Sequence, residues 1–150
     1  MEMQSTGEAE KEFERARAAL AGENSVEALG HLEKALKLYD NPTWYSYLGY
    51  CIAKERGQIK KGVELCLNSM AHDKDNPAHY HYLGKIHLIS GNKEEALRVF
   101  REGMVKGGDN EIEQELIEFG MRKPPLFSRL PRGNPLNRYL GLILSRLGLR

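Results

Sequence analysis

The sequence predicts an all-α protein: an α-solenoid of three helix pairs, a capping helix, and one more C-terminal helix beyond a proline-containing connector. Three observations carry this. Columns of one residue class recur at a fixed spacing of 34, as Ala28, Gly62 and Ala96, then Leu32, Cys66 and Phe100, then Ala35, Ser69 and Gly103. The same helix-starting and helix-ending residues punctuate the chain at matching places. After the last column comes a single short apolar stripe that repeats nothing. One helix pair cannot bury its apolar face alone, so pairs repeated in this way stack on one another.

The units are read in order as about 8–42, 43–77 and 78–110, with a cap helix at 110–120, so that residues 1–121 form the repeat domain. Asn41-Pro42 and Asn76-Pro77 open the first helices of units two and three. Asn suits the N-cap, and Pro suits the first turn, where its missing N–H is not needed. Tyr47-Leu48-Gly49 and Tyr82-Leu83-Gly84 follow at matching places, and Gly57 and Gly91 supply the positive φ that ends a helix. Second helices open at Asn24-Ser-Val-Glu27 and Asn92-Lys-Glu-Glu95, both capping-box-like. The two small columns let paired helices approach, and the large column fills the space between them. In the cap, Ile112, Leu116 and Phe119 lie at i, i+4 and i+7, one apolar stripe, with the glutamates expected to face outward.

Residues 122–150 form a separate segment. Pro124, Pro125 and Pro131 bar a continuous helix through the connector. Asn134-Pro135 and Tyr139-Leu140-Gly141 then repeat the opening of a unit, which predicts an amphipathic helix over 135–147. Its apolar side chains are Leu136, Tyr139, Leu140, Ile143, Leu144 and Leu147. Half a unit needs a surface. Return to its own solenoid ranks first, exchange within a homodimer second, and a membrane third.

The net charge of +1 marks the chain for neither nucleic acid nor membrane, but its distribution is uneven. Residues 1–118 hold 15 basic and all 21 acidic side chains, whereas residues 119–150 hold 7 basic ones and no acid. The N-terminus reads as polar rather than as a leader. The longest nearly uncharged apolar run, 139–145, is far below the roughly 20 residues of a membrane span. The expected address is the cytoplasm.

Neither catalysis nor metal or cofactor binding is expected. Cys51 and Cys66 lack zinc-ligand spacing and a basic neighbour that would activate a thiol. His79 and His81 are two apart, so they point to different sides of a helix. Gly107-Gly108 lacks the strand, Lys and Ser/Thr of a phosphate loop. Cys66 and His87 fit packing positions.

Residues 76–103 resemble a tetratricopeptide repeat nearly throughout. Residues 43–77 resemble the same repeat with one extra residue near 54–57 and Gly62 where Ala is favoured. Residues 9–42 resemble it in the second helix, while Arg15-Ala16 replaces the usual Leu-Gly pair in the first. The resemblance covers roughly 8–110. It implies a non-enzymatic scaffold that binds a peptide or partner helix in a concave groove lined by first helices. Carried over position by position, the groove comprises Phe13, Arg17, Leu20, Thr43, Ser46, Tyr50, Lys54, Ala78, His81, Lys85 and Leu88. Arg17, Lys54 and Lys85 would form a basic track suited to an acidic peptide, with Phe13 and Tyr50 as apolar anchors. The family's clamp for chaperone carboxyl termini does not match at Phe13, Arg17, Tyr47, Ala78 and Tyr82. Two other functions stand beside the adaptor: a chaperone for a secreted or membrane-inserting client, and an assembly protein whose basic tail contacts a membrane or nucleic acid.

Overall fold

The computed structural model describes residues 2–108 and 110–119; the predicted connector and C-terminal helix lie outside the described residues. The helices are α1 (Glu2–Ala21), α2 (Ser25–Leu38), α3 (Tyr45–Arg56), α4 (Ile59–His72), α5 (Pro77–Ile89), α6 (Lys93–Val105) and α7 (Asn110–Phe119), with a 3-10 turn at Pro42–Trp44 before α3. No strand occurs among the described residues. α1 packs on α2, α3 on α4 and α5 on α6. Each pair then stacks on the next, and α7 closes the far end against α6.

The capping residues act as their types predict. Asn24 and Asn92 accept from the Glu27 and Glu95 amides at 3.0 and 3.3 Å. Asn41 and Asn76 accept from Thr43 and Ala78 at 3.0 and 2.9 Å, with a proline in the first turn of each element. Gly57 and Gly91 turn the chain at φ +69° and +86°. The first unit differs: Glu23 takes the left-handed conformation at φ +58°, which costs a side-chain-bearing residue about 1 kcal/mol. α1 also begins at Glu2, a turn or more before the start that the repeat pattern suggests. Ala16, which departs from the repeat consensus, is fully buried, so the small-residue requirement is met there after all.

The 34-residue columns correspond to helix crossings. A Cβ built on Gly49 would lie 2.6 Å from the Gly62 carbonyl oxygen, and one on Gly62 would lie 2.7 Å from that of Gly49. α3 and α4 therefore meet backbone to backbone. In unit three Phe100, one column over, covers Gly84 with its ring, and a Cβ on Gly84 would overlap that ring. Gly103 sits between Tyr80 and Ile112, each 2.8 Å from where its Cβ would be, so the third column marks contact with the following element. Ala96, Leu97, Phe100, Ile112 and Leu116 form the core beneath the cap, joined by Leu88 and Phe119.

A buried polar seam joins units two and three. The Ser69 hydroxyl donates to the Pro42 carbonyl at 2.7 Å and accepts from the Ser46 amide at 2.8 Å. Ser46 Oγ meets His79 Nδ1 at 2.7 Å, and His79 Nε2 meets Asp73 Oδ2 at 3.3 Å. Burial pushes the His79 pKa down, against the opposing pull of Asp73. The neutral ring then donates from Nε2 to Asp73 and accepts the Ser46 proton at Nδ1. Between α1 and α2 the polar contact is of another kind. Buried Glu12 accepts from Arg15 at 2.6 Å, meets His31 Nδ1 at 2.7 Å and lies 3.4 Å from Lys34. The His31 bond, helped by Arg15 and Lys34, holds its carboxyl below the ordinary 4.5.

Two outcomes follow from this packing. Gly84→Ala should destabilise the fold by about 1–3 kcal/mol through overpacking. Phe100→Leu in the same chain should recover part of that loss, whereas no side-chain trimming should recover Gly49→Ala, whose obstacle is backbone; urea denaturation of the three variants checks this. The lowered His79 pKa means that the unfolded chain takes up a proton near 6.5 that the folded chain refuses. Stability present above that pH should be lost as pH falls below it. His79→Asn should flatten the slope between pH 7.5 and 5.5, leaving the contribution of His87, whose pKa burial also lowers.

Candidate functional site

The concave side of the stack is a groove of about 1090 Å³. α1 contributes Phe13, Glu14, Arg17 and Leu20. The 3-10 turn and α3 contribute Thr43, Trp44 and Tyr47, and α5 contributes Ala78, His81, Tyr82 and Lys85. α7 forms the remaining wall with Asn110, Glu111, Gln114 and Glu115. First helices line this side because their Tyr-Leu-Gly segments turn Gly49 and Gly84 toward α4 and α6, which leaves the adjacent tyrosines facing the groove.

Its floor is a chain of aromatic contacts. Phe13 stacks on Trp44 at 4.6 Å between ring centroids and meets Tyr47 edge-on at 4.9 Å. Tyr47 leans on Tyr82 at 4.8 Å, and Tyr82 touches both Tyr50 and His81, at 5.4 and 5.0 Å. Burial raises the Tyr82 pKa, so its ring serves the floor as a neutral phenol.

Of the eleven groove positions expected from sequence, seven line the groove: Phe13, Arg17, Leu20, Thr43, Ala78, His81 and Lys85. Ser46 does not; it is wholly buried in the polar seam. Leu88 packs into the core beneath the cap. Tyr50 is only 7 % exposed and Lys54 is exposed beside it, so these two flank the groove rather than line it. The Lys54 and Lys85 ammonium groups lie 5.9 and 5.0 Å from the centre of the Tyr50 ring.

The charges differ most from the sequence expectation. Arg17 is held by Glu14 at 3.0 Å, and Lys85 lies 3.6 Å from Glu115. Glu115 also meets His81 Nε2 at 3.3 Å, while Glu111 lies 3.6 Å from His81 Nδ1. Two of the three cations of the expected basic track, Arg17 and Lys85, are therefore paired in place. The lining holds Glu14, Glu23, Glu111 and Glu115 against Arg17 and Lys85, a balance that disfavours an acidic peptide. The cap glutamates do not all face outward either, because Glu115 is turned onto α5. Burial pushes its carboxyl up, but the His81 bond and the Lys85 charge outweigh this and leave it below 4.5. The sequence held a signal for this wall: Glu111 and Glu115, at i and i+4, share a face separate from the Ile112–Leu116 stripe.

Both thiols are buried. Burial, chiefly, pushes Cys51 up to about 12 and raises Cys66 further, so neither is a nucleophile at neutral pH. No described helix is long and apolar enough to cross a membrane.

No protein-family model matches the chain, and no curated protein does so. Among solved structures it is similar to the Sgt2 TPR domain from Aspergillus fumigatus, with 21 % identity over 85 % of this chain and 87 % of that one, at a TM-score of 0.58. That likeness shows the fold: a tetratricopeptide-type helical repeat.

The shared acceptor on α7 gives a direct test. Glu115→Gln should loosen α7 from α5 at a cost of about 1.5–3 kcal/mol, the scale of hydrogen bonds to a charged group. Amide exchange within 110–119 should accelerate while exchange in α3 and α4 stays unchanged.

Proposed function

We propose that this protein is a non-catalytic interaction scaffold that holds a peptide or partner helix in the concave groove. The observation that carries the reading is the continuous aromatic floor from Phe13 through Trp44, Tyr47 and Tyr82 to His81. Its half-buried members, Phe13 and Tyr47, face a groove open to solvent and rimmed by charged side chains, while Trp44, Tyr82 and His81 are buried behind that surface. Aromatic rings provide large contact area at little cost in side-chain entropy, and they dominate binding energy where they can be desolvated. Contact would fall on Phe13, Arg17, Leu20, Thr43, Ala78, His81 and Lys85, with Tyr50 and Lys54 at the margin.

The ligand class follows from the lining. An apolar or aromatic side chain would lie on the floor, as in helix-in-groove recognition. Lys or Arg at its edges would meet Glu23 and Glu111, which no lysine or arginine engages among the described residues. This chemistry replaces the acidic ligand expected from sequence.

Peptides selected from a random display library on the full chain should combine apolar anchors with flanking basic residues. Ala78→Arg together with Tyr47→Ala should weaken their binding at least about tenfold, the equivalent of 1.4 kcal/mol. The melting temperature should show that the fold survives. Selected peptides that bind the double variant with full affinity would exclude the groove as the binding site.

A further inference from the structure

We infer that the groove's resident ligand is the chain's own C-terminal segment, residues 134–150, which occupies the groove in cis until a partner displaces it. The inference rests on the groove reading above and names its first occupant. It stands on charge, on side-chain chemistry and on where the described chain ends.

The charge match runs in one direction. Residues 119–150 contain seven basic side chains and no acidic one. The groove holds four carboxylates, and its two cations are already engaged by Glu14 and Glu115. Glu23 and Glu111 stand near opposite ends of the first-helix row, on α1's exit turn and on α7, so a segment crossing the groove passes both. Within 134–150 the cations are Arg138, Arg146 and Arg150, spread over about 18 Å when measured along a helix, to which their own extended side chains add reach.

The side chains match as well. The segment carries Leu136, Tyr139, Leu140, Ile143, Leu144 and Leu147 at helical spacing. An amphipathic stretch of this length is marginal alone. On the groove side Phe13, Leu20 and Tyr47 remain partly exposed, while Trp44, Tyr82 and His81 are already buried.

Connectivity permits the match. α7 ends at Phe119 and itself forms one groove wall. The intervening residues 120–133 reach up to about 45 Å when extended. Crossing from α7 to α1 spans three helix spacings, about 30 Å at the usual 8–10 Å each.

A photoreactive benzophenone amino acid installed at Ala18 tests the inference in the full chain. Ala18 is exposed on α1 and lines the groove at the side away from α7. Irradiation should cross-link it to residues 134–150 of the same molecule, with a yield independent of protein concentration. Arg138→Glu with Arg146→Glu should reduce that yield about fivefold, the scale of two exposed ion pairs. Cross-links between two copies would overturn occupation in cis. If the library-selected peptides are captured at Ala18 and the tail is not, the groove reading stands and this inference falls. If neither is captured, both fall.

Discussion

The close crossing of α3 and α4 at Gly49 and Gly62 is the constraint on which the rest of the molecule depends. Two backbones in mutual contact leave no room for a β-carbon on either side. That contact fixes the depth and angle of the central pair, and both neighbouring pairs stack on it. The third pair reaches an equivalent spacing differently, by laying the Phe100 ring over Gly84. One glycine position is thus satisfied once by backbone and once by an aromatic ring. The residue at the large column is small where the backbones touch, at Cys66, and large where they do not, at Phe100.

The groove is a product of the same geometry. With Gly49 and Gly84 turned toward the second helices, Tyr47 and Tyr82 are carried onto the concave side and meet at 4.8 Å. The aromatic floor is therefore a consequence of stacking, and its rings lie at the junctions between units. α7 adds a fourth wall of unlike chemistry. It places a carboxylate beside His81 and Lys85, and so turns a row of cations into a mixed rim.

Much of the fold was legible in the sequence because its determinants are local and periodic. Asn caps, first-turn prolines, Gly57, Gly91 and the small-residue columns each act within a few residues of themselves or across one 34-residue step. The groove was only partly legible. Ser46 and Leu88 occupy positions that read as groove-facing, but the 3-10 turn at Pro42–Trp44 and the partnership of Ser46 with His79 draw the first into the seam, and the cap core claims the second. The pairing of Lys85 with Glu115 joins residues thirty apart on elements that the repeat period does not relate, so spacing gave no sign of it. Glu23 at a left-handed turn was hidden for a similar reason, since the other two turns use glycine.

The two junctions between units are chemically unlike. Aromatic contacts bridge both, Phe13–Trp44 between units one and two and Tyr47–Tyr82 between units two and three, but the second adds the hydrogen-bonded seam of Ser46, His79 and Asp73. In a linear array, stability is a sum of unit and junction contributions, and apolar burial weakens on cooling. Cooling therefore weakens the apolar share of both junctions and leaves the second its hydrogen-bonded seam.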